Sequence, residues 1–288
     1  MIEAKEITFR YKKKNIFKDL SLKFEKGKVY GLLGKNGAGK STLLYIMTGL
    51  LRPQNGKILY KGENVSNRPP SALSDIFIVP EEFALPNISL KRYIAINKPF
   101  YPKFSEEQVK KNLSLFELED ALNIKLGSLS MGQKKKVFMS FALATNASLM
   151  IMDEPTNGLD IPGKSQFKKF IASNMDDERT VIISTHQVQD IEKLIEHVMI
   201  IDDSRILLDA SATDICNNLY FVSGANSVDL ENTIYATKSF QGYNALLRNE
   251  ENEETVMNLE ILFNAVLENH DKIKTIFDNS RLLDDNQE

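Results

Sequence analysis

The chain has 288 residues, with 36 Lys+Arg against 39 Asp+Glu, 42% apolar residues, 14 Gly and 9 Pro. That composition excludes a disordered, collagen-like or coiled-coil chain and suits one large domain or two ordinary ones. The single cysteine, Cys216, excludes an internal disulfide and gives no sign of a secreted scaffold. Apolar runs are strand-sized, well short of the roughly 18 residues of a spanning helix, and the first six residues carry acids where a signal peptide would be apolar. The expectation is a soluble cytoplasmic protein whose membrane role, if any, comes through a partner. The net charge of −3 hides an asymmetry: residues 205–288 carry 6 basic and 15 acidic side chains, leaving 1–204 at +6. Two functional regions and an ordinary solvated surface both account for that split.

Near the N-terminus, Ile7, Phe9 and Tyr11 alternate with polar residues, as do Leu20, Leu22 and Phe24, predicting two half-buried edge strands. Residues 29–33 form a short apolar run, as in a buried parallel strand. A glycine-rich turn follows, then a predicted helix over 41–47 that Gly49 and Pro53 end. Strands are predicted at 58–60 and 76–79. Residues of about 87–145 read as a helical insertion: Ser105 is a helix cap with Gln108 three residues on, and Val109, Leu113, Phe116 and Leu118 follow at roughly helical spacing. Apolar strands return at 148–152 and 180–184, each followed by a helix-like stretch. This alternation predicts an α/β fold with a parallel sheet. Beyond 220, short strands are predicted at 220–223 and 233–236, and Leu259, Leu262, Phe263, Val266 and Leu267 form a helical stripe. The expected division is 1–215 as the main domain and 216–288 as a small acidic α+β appendage.

Gly34, Lys35, Asn36, Gly37, Ala38, Gly39, Lys40 and Ser41 fit G-x-x-x-x-G-K-[ST] between a predicted strand and helix. Glycines let backbone N–H groups wrap a phosphate, and the positive end of the following helix faces the same anion. Lys40 adds charge near the β- and γ-phosphates, Ser41 offers a hydroxyl to Mg²⁺, and Thr42 completes the predicted ATP-binding run. A partner carboxylate is expected on a neighbouring strand. Asp153 ends the apolar run at 148–152 and suits the metal, and Glu154 follows as a candidate general base.

Three further segments carry a family resemblance. Leu129-Ser130-Met131-Gly132-Gln133 resembles the signature motif of ATP-binding cassette (ABC) ATPases. The run from Asp153 through Pro155, Thr156, Asn157, Gly158 and Leu159 to Asp160 resembles their Walker B and D-loop. His186, 32 residues after Glu154, is similar to the switch histidine, and Tyr11 to the aromatic that stacks on adenine. The resemblance covers residues 1 to about 215. It implies a P-loop NTPase domain with a mixed sheet core, an antiparallel β edge and a helical insertion, using ATP and Mg²⁺. It also implies a head-to-tail pair in which Ser130, Gly132 and Gln133 of one subunit approach the γ-phosphate held by the other. Ser130 is expected to cap the helix that follows as well.

Two departures stand out. Glu81 replaces the family's usual Gln after the strand at 76–79, keeping an oxygen for Mg²⁺ but adding charge. Met131 and the run Lys134-Lys135-Lys136 replace a frequent small residue and an Arg-containing stretch. That lysine run, like Lys12-Lys13-Lys14, reads as a solvated face, so no nucleic acid is expected. The sequence around Glu81 and Phe100–Glu107 resembles the ATPase subunits of ABC-2-type exporters of the bacitracin-export kind. The implied partners are a second nucleotide-binding subunit and separate transmembrane permease subunits, which would hold the chain on the inner face of the cell membrane. The competing readings are a soluble ABC ATPase acting on ribosomes or nucleic acid, and a regulatory partner that binds ATP without turnover.

Overall fold

In a computed structural model, which describes residues 1–227 and 233–284, the chain divides into two compact units: residues 1–30 with 39–185, and 31–38 with 186–288. In the first unit, β1 (Ile2–Tyr11) and β2 (Lys14–Phe24) form the expected hairpin, with Ile2 opposite Phe24 and Tyr11 opposite Lys14. Ile2, Ala4, Ile7 and Phe9 turn inward from β1, and Leu20, Leu22 and Phe24 from β2. β3 (Val29–Leu33), whose last three residues are counted in the second unit, is buried at all five positions. α1 (Lys40–Met47) ends at Thr48 and Gly49, the latter at φ +71°, where a left-handed turn favours glycine. β4 (Asn55–Tyr60) and β5 (Glu63–Asn64) complete an antiparallel sheet of order β2-β1-β4-β5.

The short α2 (Pro70–Leu73) leads to β6 (Ile76–Val79). The predicted insertion contains α3 (Leu90–Asn97), α4 (Glu106–Leu115) and α5 (Met131–Ala144). Ser105 accepts from the Gln108 N–H as expected, but the Gln108 amide turns away from the cap and donates to Asn112 and Asn174 at 3.0 and 2.8 Å. β7 (Leu149–Asp153), α6 (Ile161–Ala172) and β8 (Thr180–Thr185) follow. β6, β7 and β8 are parallel neighbours, with Ile78 beside Ile151 and Ile151 beside Ile182. Phe77 of β6 meets Phe138 and Phe141 of α5 and Tyr101, with ring centres 5.5–6.0 Å apart, and so fastens the insertion to the sheet.

A second fastening is polar. Asp75, just before β6, accepts from the Tyr60 hydroxyl (2.8 Å), Lys61 Nζ (2.7 Å), Lys103 Nζ (3.2 Å), and the Ser148 N–H (3.1 Å) and hydroxyl (2.9 Å). Burial alone would raise its pKa, but the hydrogen bonds from Lys61, Tyr60 and Ser148 outweigh that and hold the carboxyl far below the usual range.

In the second unit, β9 (His197–Asp202) and β10 (Arg205–Ser211) pair antiparallel, and α7 (Ala212–Asn218) leads on. β11 (Leu219–Ala225) and β12 (Thr233–Ser239) contain the two predicted tail strands, and β13 (Gly242–Arg248) inserts between them. Gly242 begins β13 at φ +122°, where a Cβ would lie 2.5 Å from the Ala225 carbonyl oxygen. The predicted stripe becomes α8 (Leu259–Glu268), which buries Leu259, Ile261, Leu262, Ala265 and Val266, and α9 (His270–Asp284) follows. The start of α8 is held by the segment after His186: the Leu259 N–H donates to Glu192 Oε1 and Gln189 Nε2 to Glu260 Oε2, both at 2.7 Å. Among the described residues, no helix is long and apolar enough to cross a membrane.

Candidate active site

The glycine-rich segment leaves β3 at Gly34 and enters α1 at Lys40. A Cβ on Gly34 would lie 2.5 Å from the Ile201 carbonyl oxygen. Lys35 pairs with Asp202 at 3.2 Å, Asn36 is exposed, and the Ala38 N–H donates to the Lys35 carbonyl. Gly37 has φ +80° and open space where a side chain would stand, the kind of cradle in which a backbone N–H approaches an anion. Gly39, at φ +103°, precedes α1, and its missing Cβ would strike the Phe17 ring at 2.8 Å and Ile16 at 2.9 Å. No side chain caps α1, so its first N–H groups and positive end suit phosphate oxygens. Ser41 and Thr42 lie half-buried in its first turn.

Lys40 is buried. Burial lowers its pKa, opposed by the charges of Glu154, Asp153 and Glu81. The same three carboxylates act on a second buried ammonium, that of Lys135. Asp153 ends β7, fully buried, and accepts from the Ser184 hydroxyl. Glu154 takes up a left-handed backbone at φ +45°. Its N–H donates to the Ser184 carbonyl at 3.0 Å, and its Oε2 accepts from the Thr185 hydroxyl at 2.9 Å. Glu81 Oε1 accepts from Asn157 Nδ2 at 2.8 Å. A Ser41 hydroxyl with the Asp153 and Glu81 carboxylates is an oxygen-only donor set, which fits a hard divalent cation.

The lysine run departs from its expected solvated face. Lys135 is buried, and its Nζ donates to the Glu154 and Asn157 carbonyls at 3.1 and 2.8 Å, while burial lowers its pKa. Lys136 Nζ donates to Gln166 at 2.9 Å and lies 3.9 Å from Asp160. Ser130 caps α5 in a reciprocal capping box. Its hydroxyl accepts from the Gln133 N–H at 3.2 Å, and the Gln133 side chain accepts from the Ser130 N–H at 3.0 Å. Ser130 and Gln133 remain exposed, and a Cβ on Gly132 would lie 3.3 Å from the Gly158 carbonyl oxygen. Asp160 caps α6 through the Gly163 N–H at 2.9 Å. Tyr11 is half exposed, edge-on to Phe9. His186 is exposed directly after β8.

Sequence reasoning missed the inward turn of Lys135, the contact of Asn157 with Glu81, and the hydroxyls of Ser184 and Thr185. Two hydroxyls closing the apolar run Val181-Ile182-Ile183 were a readable signal, whereas a triplet of lysines carries none for burial.

Comparison with known proteins gives the family. Residues 17–157 match the ABC transporter family. The linearmycin resistance ATP-binding protein LnrL of Bacillus subtilis is 29% identical over 286 residues, covering 96% of this chain and 88% of that protein. The bacitracin transport ATP-binding protein BcrA of Bacillus licheniformis is 30% identical over 211 residues, covering 72% of this chain and 68% of that protein. A solved ATP-binding subunit of an ABC transporter superposes with a TM-score of 0.68 at 25% identity, covering 75% of this chain and 91% of its own. The chain belongs to the ABC transporter family and is an ATP-binding transporter subunit that hydrolyses ATP.

Proposed function

We propose that this subunit powers an exporter, with residues 1–215 as the ATPase body and 216–288 as an appendage, held on the inner face of the membrane by permease subunits. Supporting the export reading, two relatives are named for resistance to linearmycin and transport of bacitracin. Residues 34–42 bind the phosphates of ATP, with Lys40 neutralising the β- and γ-oxygens, and Tyr11 stacks on adenine. Ser41, Asp153 and Glu81 hold Mg²⁺, which when bound draws off charge that develops on the phosphoryl oxygens. With Glu81 Oε1 held by the Asn157 amide, its second carboxylate oxygen is the one that would meet the cation.

Glu154 orients and deprotonates the attacking water, and His186 steadies that water and the γ-phosphate. A second copy or a related subunit supplies Ser130, Gly132 and Gln133 across the nucleotide, while Asp160 lines the joint. ATP binding closes the pair and hydrolysis opens it. The observation that carries this reading is the buried pair of adjacent acids, Asp153 held by Ser184 and Glu154 by Thr185, in the field of Lys40.

The test is Glu154→Gln, near-isosteric but unable to act as a base. Turnover should fall by about 10²–10⁴-fold while ATP affinity is kept. Unchanged turnover would overturn the assignment. In cells expressing subunit and permease together, the same variant should stop efflux of the exported compound. Efflux that persists would remove the coupling to transport.

A further inference from the structure

We propose that Lys135 is a positioning residue for hydrolysis: it holds the turn that aims Glu154 and ties that turn to the helix presenting Ser130. The inference rests on the reading of Glu154 as the base. Three observations carry it. First, the buried ammonium spends hydrogen bonds on main-chain carbonyls at both ends of one turn, those of Glu154 at 3.1 Å and Asn157 at 2.8 Å. The Asn157 N–H already donates to the Glu154 carbonyl at 3.2 Å, so the lysine closes the turn with charge-assisted bonds, which are stronger than neutral ones.

Second, the turn needs holding. Glu154 has φ +45°, a conformation that a non-glycine residue keeps only when its surroundings enforce it. The backbone sets where the side chain starts and the Thr185 hydroxyl where it ends, so whatever fixes the turn helps to fix the aim of the base.

Third, the anchor is part of a helix whose cap is Ser130. Lys135 lies in the second turn of α5, and Gly132 in the first packs close to the Gly158 carbonyl. Helices move as rigid elements. A displacement of Ser130 by a partner's phosphate therefore reaches Glu154 through Lys135. Glu81, bonded to the Asn157 side chain, reaches the same turn from the other direction. Seating of the signature motif on a neighbour's nucleotide and aiming of this chain's own base thereby become one mechanical event.

The experiment measures ATP turnover per ATP-binding site for the full-length chain, so unfolded protein drops out of the comparison. Lys135→Met keeps the length of the side chain and removes the donors, and Lys135→Arg keeps both charge and donors. A misplaced base predicts a kcat about ten- to hundredfold lower in Lys135→Met. KM should stay within about twofold, because the aim of the base matters only to the chemical step that follows ATP binding. Lys135→Arg should recover most of kcat. Where Lys135→Met gives no folded protein, Lys135→Leu, which also lacks donors, carries the same readout. A Met variant with near-parent kcat, a fall in kcat matched by a rise in KM, or an Arg variant no better than Met would each overturn the role of Lys135. A Glu154→Gln chain that turns over like the parent would instead refute the reading of the base itself.

Discussion

Asp75 allows a quantitative test of what holds the helical insertion to the sheet. Its carboxylate receives donors from the edge sheet, from the insertion and from the start of β7. Asp75→Ala removes all of them. The lysines contribute little: their side chains are 53% and 62% exposed, and such screened pairs are worth ~0–1 kcal/mol each. The main cost falls on two buried donors, the Ser148 N–H, left unsatisfied, and the Tyr60 hydroxyl, left with a long 3.4 Å contact to the Asp75 main-chain carbonyl, at ~1–3 kcal/mol each. The expected loss is about 3–5 kcal/mol, a large part of the ~5–15 kcal/mol of a typical domain. In urea this appears as a midpoint lower by about 1–2 M with an unchanged slope.

The same carboxylate sets a pH dependence. Its folded pKa lies far below its unfolded value near 4, so its contribution is complete above that value and drains away as pH falls further. The Ala variant should lose this acid limb. An Asp75→Ala midpoint within about 0.3 M of the parent, or a Lys61→Met shift as large as that of Asp75→Ala, would refute the ranking of the two buried donors over the two exposed ones.

Two further outcomes follow from the backbone and the caps. Gly39→Ala should lose ATP binding and also cost ~2–4 kcal/mol of stability, because a methyl meets Phe17 at 2.8 Å on a φ +103° backbone. Gly37→Ala, with open space around it, should lose ATP binding by calorimetry at a stability cost nearer ~1 kcal/mol. Equal stability losses in the two would contradict the packing argument. Ser130→Arg should cost ~1 kcal/mol as a lost helix cap, leave ATP binding to a single chain intact, and abolish ATP-driven pairing by light scattering. A normal ATP-driven pair would contradict the role of this exposed turn.

What the sequence disclosed was what depends on neighbours along the chain. β3 and β6 run over 29–33 and 76–79 as their apolar runs predict, and Ser105, Ser130 and the glycine-rich segment act where capping and φ chemistry place them. What it concealed depends on partners far off in the chain. Asp75 finds Ser148 73 residues away and Glu81 finds Asn157 76 residues away. Lys135 goes inside because a turn 19 residues on offers two carbonyls to its ammonium, and no triplet of lysines advertises that. Gln108 had a local partner available and took the distant Asn174 as well as Asn112 instead of closing its cap. β13 begins with Gly-Tyr-Asn, residues whose spacing shows no strand period until β11 and β12 flank them.

The anchoring of α8 bears on how small a working version of this protein can be made. A chain ended at residue 215 would keep every nucleotide motif and still be incomplete. It would take away the Leu259 N–H that satisfies Glu192 and the partner of Gln189, both only a few residues past His186. It would also uncover the apolar surface now shielded by Ile261, Leu262, Ala265 and Val266. The helix at 259–268 thus completes the packing of the segment that follows His186, and a chain trimmed to its motifs would lose that support.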